Sequence, residues 1–102
     1  GETARTKDTV AAIVCTPEAR NRALEVARAF RTAGIRSEMD LMGRGFGQQL
    51  AHAAKSADFA VIIGQREAAS GEVTLKNLQS GEQKTVALDA AVAEVVASGS
   101  RG

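Results

Sequence analysis

The sequence predicts an α/β domain of three layers, in which helices cover a mixed five-stranded sheet. Short β-branched apolar runs alternate with segments of helical period in the first two thirds of the chain, which predicts the order βαβαβ. Two segments of period two follow and predict a β-hairpin, and an amphipathic segment predicts a C-terminal helix. The length of 102 residues and the hydrophobic fraction of 44% suit one domain with one core.

The first strand and helix are predicted from residues 9 to 34. Residues 9–15 are rich in β-branched side chains and are typical of a strand that is buried on both faces. Thr16 is predicted to cap a helix over about residues 17–33, with Pro17 at its first position. Gly34 is placed to end this helix in a left-handed conformation. The predicted apolar stripe of the helix consists of Ala23, Leu24, Ala27 and Phe30.

The remaining elements follow from changes in the period of apolar residues. We expect an edge strand at 35–40, a glycine-containing loop and then a helix that ends near residue 57. The apolar run 58–64 predicts a buried strand, and 65–71 a polar turn. The hairpin strands are expected at 72–76 and 83–87, before a helix that starts near residue 88. The predicted domain spans 9–97, with a linker or frayed arm at 1–8 and a disordered tail at 98–102.

Composition excludes several classes of function. Three Phe and no Trp or Tyr are too few for an aromatic platform that stacks nucleobases. One Cys and one His exclude an internal disulfide and a structural zinc site, and favour a reducing cytoplasm. We find neither an apolar run that could span a membrane nor a secretion signal. Although the net charge is only +1, residues 20–44 hold six Arg against three acidic residues.

The sequence contains no recognisable catalytic centre. His52 has no partner at the spacing of a catalytic triad, and Cys15 ends a buried strand as a small apolar residue. Three glycines occur at 43, 45 and 47, but the segment GRGFGQQ has no glycine at the third position of the dinucleotide-binding fingerprint GxGxxG. We therefore interpret these glycines as turn formers. We therefore expect no cofactor and no metal in this chain.

Several motifs occur in a characteristic order. They are Ala33-Gly34, Asp40, Gly43-Arg44, and the spacing IIGxxE to GxVxxK from Ile62 to Lys76. Over about residues 9–97 this pattern resembles the anticodon-binding domain shared by the histidyl, prolyl, threonyl and glycyl class II aminoacyl-tRNA synthetases. The segment DLMGRGFGQQLAHA is most similar to the histidyl enzymes.

The resemblance implies a set of tRNA-binding residues. By position, Glu67 matches an acidic residue that accepts from a base edge, and Lys76 matches a basic residue that contacts the same loop. Arg44 suits a phosphate or guanine contact, and Gln48 at the start of the second helix suits the RNA backbone. We expect Arg44, Glu67 and Lys76 to share one rim of the sheet. An exposed ion pair between Glu67 and Lys76 is the alternative for those two residues.

The same resemblance implies a longer protein of which this chain is the C-terminal part. That protein would be a homodimeric, cytoplasmic histidine–tRNA ligase that uses ATP and magnesium, whereas this part would bind tRNA, and neither DNA nor a membrane. Two alternatives remain open. One is a small-molecule module that uses the loop at 41–47, and the other is an interaction domain in a paralogue that no longer charges tRNA.

Overall fold

The computed structural model describes residues 9–39 and 45–99. The strands are β1 (Val10–Cys15), β2 (Arg36–Met39), β3 (Phe59–Ile63), β4 (Glu72–Asn77) and β5 (Gln83–Ala87). The helices are α1 (Arg20–Thr32), α2 (Phe46–Ser56), α3 (Gln65–Ser70) and α4 (Leu88–Gly99), with a 3-10 turn at Pro17–Ala19 before α1.

The five strands form one sheet in the order β2-β1-β3-β4-β5. β1 pairs in parallel with β2 on one side and β3 on the other, because each crossover helix returns the chain to the end of the sheet at which β1 begins. β4 runs antiparallel to β3, and β5 runs antiparallel to β4. The predicted fold is therefore confirmed, with three parallel strands extended by a hairpin and with β2 at an edge.

Two apolar clusters place helices on both faces of the sheet. The larger cluster packs α1 and α4 against one face and includes Phe30, Val61 and Val95, which are fully buried. The smaller cluster packs α2 against the other face, over β1 and β3 only. Its buried members are Ala12, Val14, Ala53 and Ala60. Helix α2 thus leaves β4 and β5 uncovered on its side of the sheet.

The first helix differs from the prediction at two positions. Thr16 stands at the N-cap of the 3-10 turn and Pro17 at its first position, but the Thr16 hydroxyl caps no amide. The Thr16 carbonyl instead accepts from the Ala19 amide, at 3.0 Å. Leu24 is 52% exposed, because the helical rotation per residue carries it away from the buried face, and Val26 fills the predicted stripe. Gly34 has φ +88° and ends the helix as predicted.

The predicted polar turn at 65–71 is instead the short helix α3. Six residues are too few to show an apolar period, which is why the sequence pattern missed it. Gly71 ends α3 with φ +80°, and its carbonyl accepts from the Arg22 guanidinium at 3.1 Å. The contact ties α1 to the start of β4.

The hairpin turn between β4 and β5 is closed by a side chain. The Asn77 carbonyl oxygen Oδ1 accepts from the amides of Gln79 and Ser80, at 2.8 and 3.1 Å. Gly81, with φ +83°, completes the turn. This arrangement fixes the register in which β5 returns along β4.

Candidate nucleic-acid interface

On the α2 side of the sheet, the part of β4 and β5 that α2 leaves uncovered presents polar side chains. Lys76 pairs with Ala60, which packs under α2, so Lys76 points to the α2 side of the sheet. Thr74 lies two residues earlier on the same face, and Thr85 is directly opposite it on β5. The alternate residues Val73 and Leu75 are buried in the larger cluster. We call this side of the hairpin, which carries Thr74, Lys76, Gln83 and Thr85, the open face; Thr74 is its buried member.

The start of α2 is anchored to the carboxyl end of β1. Gln49 is 8% exposed; its Oε1 accepts from the Cys15 amide and its Nε2 donates to the Cys15 carbonyl, both at 3.1 Å. The last β1–β2 pair joins Ile13 and Met39, so the Gln49 amide serves Cys15 as a neighbouring strand would. The adjacent Gln48 is exposed. The anchor therefore holds Gln48 at the carboxyl end of the parallel strands.

Glu67 is held at the carboxyl end of β3 by two hydrogen bonds. In the first turn of α3, its Oε1 accepts from the Gly64 amide at 3.0 Å, and its Oε2 accepts from the Thr74 hydroxyl at 3.1 Å. A Cβ at position 64 would lie 3.1 Å from Oε1, so glycine there leaves room for the carboxylate. The first turn of a helix also favours a negative charge.

The environment of Glu67 keeps its carboxyl group ionised. Burial alone would raise the pKa of Glu67. Hydrogen bonds from its own amide, the Gly64 amide and the Thr74 hydroxyl, together with the charge of Arg66, lower the pKa by more. The net effect is a pKa below the usual value, so Glu67 is an acceptor at neutral pH.

The structure brings two of the four predicted site residues to one surface. Glu67 contacts Thr74, and Lys76 lies on the open face about 7 Å farther along β4. The two residues share a face but not a rim, because β4 runs away from the carboxyl end of β3. Gln48 lies at that end, at the start of α2. Arg44 lies outside the described residues, so its predicted place on the rim stays a prediction.

Glu67 and Lys76 do not form the ion pair that was the alternative for them. The Glu67 carboxylate is engaged by Gly64 and Thr74. Lys76 is half-buried, and its ammonium forms no ion pair with any side chain in 9–39 or 45–99. An acceptor and a cation are thus both available to a ligand on this surface.

Sequence reasoning missed Thr74 and Thr85, and it missed that the Gln49 amide binds the Cys15 backbone. The alternation of Thr74 and Lys76 with two apolar residues, and of Gln83 with Thr85, was the signal for a polar sheet face. Nothing in the sequence distinguishes Gln49 from Gln48. Only the 100° rotation between neighbouring helical residues, once the helix is docked, makes one of them buried and the other exposed.

Other candidate sites have less support. Burial raises the pKa of the Cys15 thiol, although the charge of Arg20 opposes this, so the thiol stays protonated. In the part of the chain that the structure describes, no group of His, Cys, Asp and Glu could hold a metal. No helix within that part has the length and apolar character needed to cross a bilayer.

An open cavity of about 470 Å³ lies on the α4 side of the hairpin. Phe59 and Leu75 line it together with charged residues such as Glu82 and Glu94. It is at the end of the sheet where β3 begins, whereas α2 begins at the opposite end. The cavity is therefore remote from the start of α2, next to which the small-molecule alternative places its ligand.

We expect the stability of the domain to depend on the ionisation of Glu67. Because the folded pKa lies below the unfolded one, Glu67 stabilises the fold fully above the usual Glu pKa. This stability is lost as the pH falls through the folded value. Glu67→Gln should cost about 1 kcal/mol at pH 7 and less at acid pH, as measured by urea unfolding at several pH values. An equal cost at pH 7 and pH 3 would contradict the role of the charge.

Comparison with known proteins identifies the family to which this fold belongs. A family model described as "anticodon binding domain" matches residues 9–98, nearly the whole chain. The chain belongs to the anticodon-binding domain family. The open face and Glu67 are therefore features of an anticodon-binding domain, and the predicted resemblance to this family is confirmed.

The similar proteins point to one group within the family. A histidine–tRNA ligase of Methanoregula boonei is 68% identical over 101 residues, which cover 99% of this chain and 25% of that protein. One of Methanoculleus marisnigri is 62% identical over 90 residues, 88% of this chain and 22% of the relative. The anticodon-binding domain thus spans about a quarter of the length of these relatives, and its predicted similarity to histidyl enzymes is confirmed.

Solved structures of aminoacyl-tRNA synthetases contain a domain with the same fold. Histidyl-tRNA synthetase from Nostoc sp. PCC 7120 superposes with a TM-score of 0.77 and 36% identity, over 88% of this chain and 22% of that one. The RNA binding domain of threonyl-tRNA synthetase from Cryptosporidium parvum superposes with a TM-score of 0.76 over 86% of this chain and 22% of that one. At 17% identity, this second likeness concerns the fold alone.

Proposed function

We propose that this domain binds the anticodon stem-loop of a histidine tRNA through the open face and the adjoining carboxyl end of β3. The observation that carries the proposal is the placement of Glu67 and Lys76 together beside the part of the sheet that α2 leaves uncovered, in a member of the anticodon-binding domain family. Sequence in RNA is read mainly at splayed single-stranded bases, which such a face can receive.

The chemistry of the surface supports hydrogen bonding to bases rather than stacking. The ionised Glu67 accepts from an amino or imino group of a base, and Lys76 contacts a base carbonyl or a phosphate. The residues of the open face are polar and none is aromatic. Gln48 at the start of α2 is proposed to contact the RNA backbone, and Arg44, two residues before α2 in the sequence, a phosphate or a guanine.

The rest of the proposed function concerns the longer protein. We propose that this domain belongs to a cytoplasmic, homodimeric histidine–tRNA ligase whose catalytic part binds ATP and magnesium. The domain would add affinity and anticodon discrimination to that part. Aminoacylation of histidine tRNA by the longer protein is the measurement that separates a ligase from a paralogue that does not charge tRNA.

The direct test is titration of a fluorescent histidine anticodon stem-loop with the domain. We expect binding that weakens with salt and with changes in the anticodon bases. Equal affinity for stem-loops with and without the histidine anticodon would leave only electrostatic docking. Absence of binding to either stem-loop at low salt would refute the proposal, and a nucleotide or flavin retained through purification would favour the small-molecule alternative.

Lys76→Ala is expected to weaken binding of the histidine stem-loop by about two- to tenfold, and that of the changed stem-loop equally where the contact is to a phosphate. If the ammonium contacts a phosphate, the slope of log affinity against log salt should also decrease by about one. Lys84→Ala is the matched control, because Lys84 lies opposite Leu75 on the other face of the same hairpin and pairs with Glu94. An equal loss in both variants would place the RNA elsewhere.

A further inference from the structure

Three oxygen-bearing side chains form a continuous chain of hydrogen bonds from α3 across the hairpin. Glu67 Oε2 accepts from the Thr74 hydroxyl at 3.1 Å, and the Thr74 and Thr85 hydroxyl oxygens are 2.9 Å apart. Thr74 is 6% exposed, whereas Thr85 is exposed on the open face. We call Glu67, Thr74 and Thr85 the hydroxyl relay; it leads from a fixed carboxylate to the surface.

The direction of both hydrogen bonds follows from counting protons. An ionised carboxylate has no proton to give, so Thr74 donates its single hydroxyl proton to Glu67. The contact between the two hydroxyls then uses the proton of Thr85, because that of Thr74 is already engaged. Thr85 is left with an oxygen that faces the ligand side and can only accept.

We propose that Thr74 and Thr85 are positioning and selecting residues of the RNA-binding face. Thr74 holds the Glu67 carboxylate in place, and the relay fixes the Thr85 oxygen as a second acceptor beside it. The pair of acceptors selects a nucleobase edge that offers amino or imino donors, while Lys76 on the same face meets a carbonyl or phosphate. This inference rests on the proposed function and adds to it the class of base edge that is read.

The relay explains why hydroxyl-bearing residues occupy both positions of this cross-strand pair. Valine would suit either strand equally well, but a valine at position 74 would leave Oε2 of Glu67 without its donor inside the protein. A free hydroxyl at position 85 could rotate to donate or accept and would not discriminate. Donation to Thr74 removes that freedom.

The test compares Thr85→Val with Thr85→Ser in stem-loop binding. The quantity measured is the ratio of affinities for the histidine stem-loop and for one with changed anticodon bases. We expect Thr85→Val to lower this ratio about three- to tenfold and Thr85→Ser to preserve it. Thr32→Val on the exposed end of α1 is the matched control and should leave the ratio unchanged.

Suppose that the wild-type domain discriminates between the two stem-loops and that Thr85→Val has the same ratio of affinities. This result would overturn the selecting role of Thr85, while the proposed function would stand. A wild-type domain that does not discriminate would refute the proposed base reading and this selecting role together.

The positioning role has a separate readout that needs no RNA. Titration of the Glu67 carboxyl carbon by NMR should give a higher pKa in Thr74→Val than in the wild type, because one hydrogen bond to the carboxylate is lost. The charged neighbours Arg66, Glu72 and Lys76 are the same in both proteins. Identical titration curves would show that Thr74 does not hold the carboxylate and would overturn this role.

Discussion

Gln49→Leu is expected to lower the free energy of unfolding by about 2–4 kcal/mol, as measured by urea denaturation. The leucine has nearly the shape of the glutamine, but it removes both hydrogen bonds to Cys15. The amide and carbonyl at the end of β1 would then be left without partners near the base of α2. Unsatisfied buried backbone groups cost more than the loss of an exposed hydrogen bond.

The matched control is Gln48→Leu. Gln48 is exposed in the first turn of the same helix and has the same chemistry and helix propensity. We expect Gln48→Leu to change the free energy of unfolding by no more than about 0.5 kcal/mol. Similar losses in the two variants would show that the anchor between α2 and β1 does not contribute as we describe.

Glu67→Gln is expected to reduce discrimination between the histidine stem-loop and one with changed anticodon bases by about 5- to 100-fold. The substitution preserves the shape of the side chain but replaces one acceptor oxygen with a donor, which opposes an amino group on the base. Removal of a negative charge should at the same time strengthen binding of the changed stem-loop. Affinity measurements at constant salt separate the two effects.

The control for charge removal is Glu82→Gln. Glu82 is exposed at the hairpin turn and lines the cavity on the α4 side, away from the open face. It should change the affinity for both stem-loops equally and leave discrimination intact. A Glu67→Gln domain that discriminates as well as the wild type would show that Glu67 reads no base.

The periods of apolar residues were sufficient to predict the sheet and its connections. The runs at 9–15 and 58–64 became the buried strands β1 and β3, and the alternation at 72–76 and 83–87 became the hairpin. Each of these segments spans several residues with a consistent pattern, which is what period-based reasoning needs. The family resemblance supplied Glu67 and Lys76 as candidates.

The contacts of the site could not be predicted in the same way. Glu67 and Thr74 are seven residues apart in sequence, but they meet only because α3 turns the chain back at the end of β3. The partner of Gln49 is 34 residues away on another strand. Such contacts depend on the docking of elements, whereas the local pattern of residues determines only the elements themselves.

The hairpin that carries the open face is one uninterrupted stretch of chain, residues 72–87. It forms one edge of the sheet and pairs there with β3, which precedes it in the sequence. Its underside belongs to the core through Val73 and Leu75, and its upper side carries the open face. We therefore expect that exchange of exposed alternate residues in this single short segment alters the proposed anticodon preference without changing the buried residues that support it.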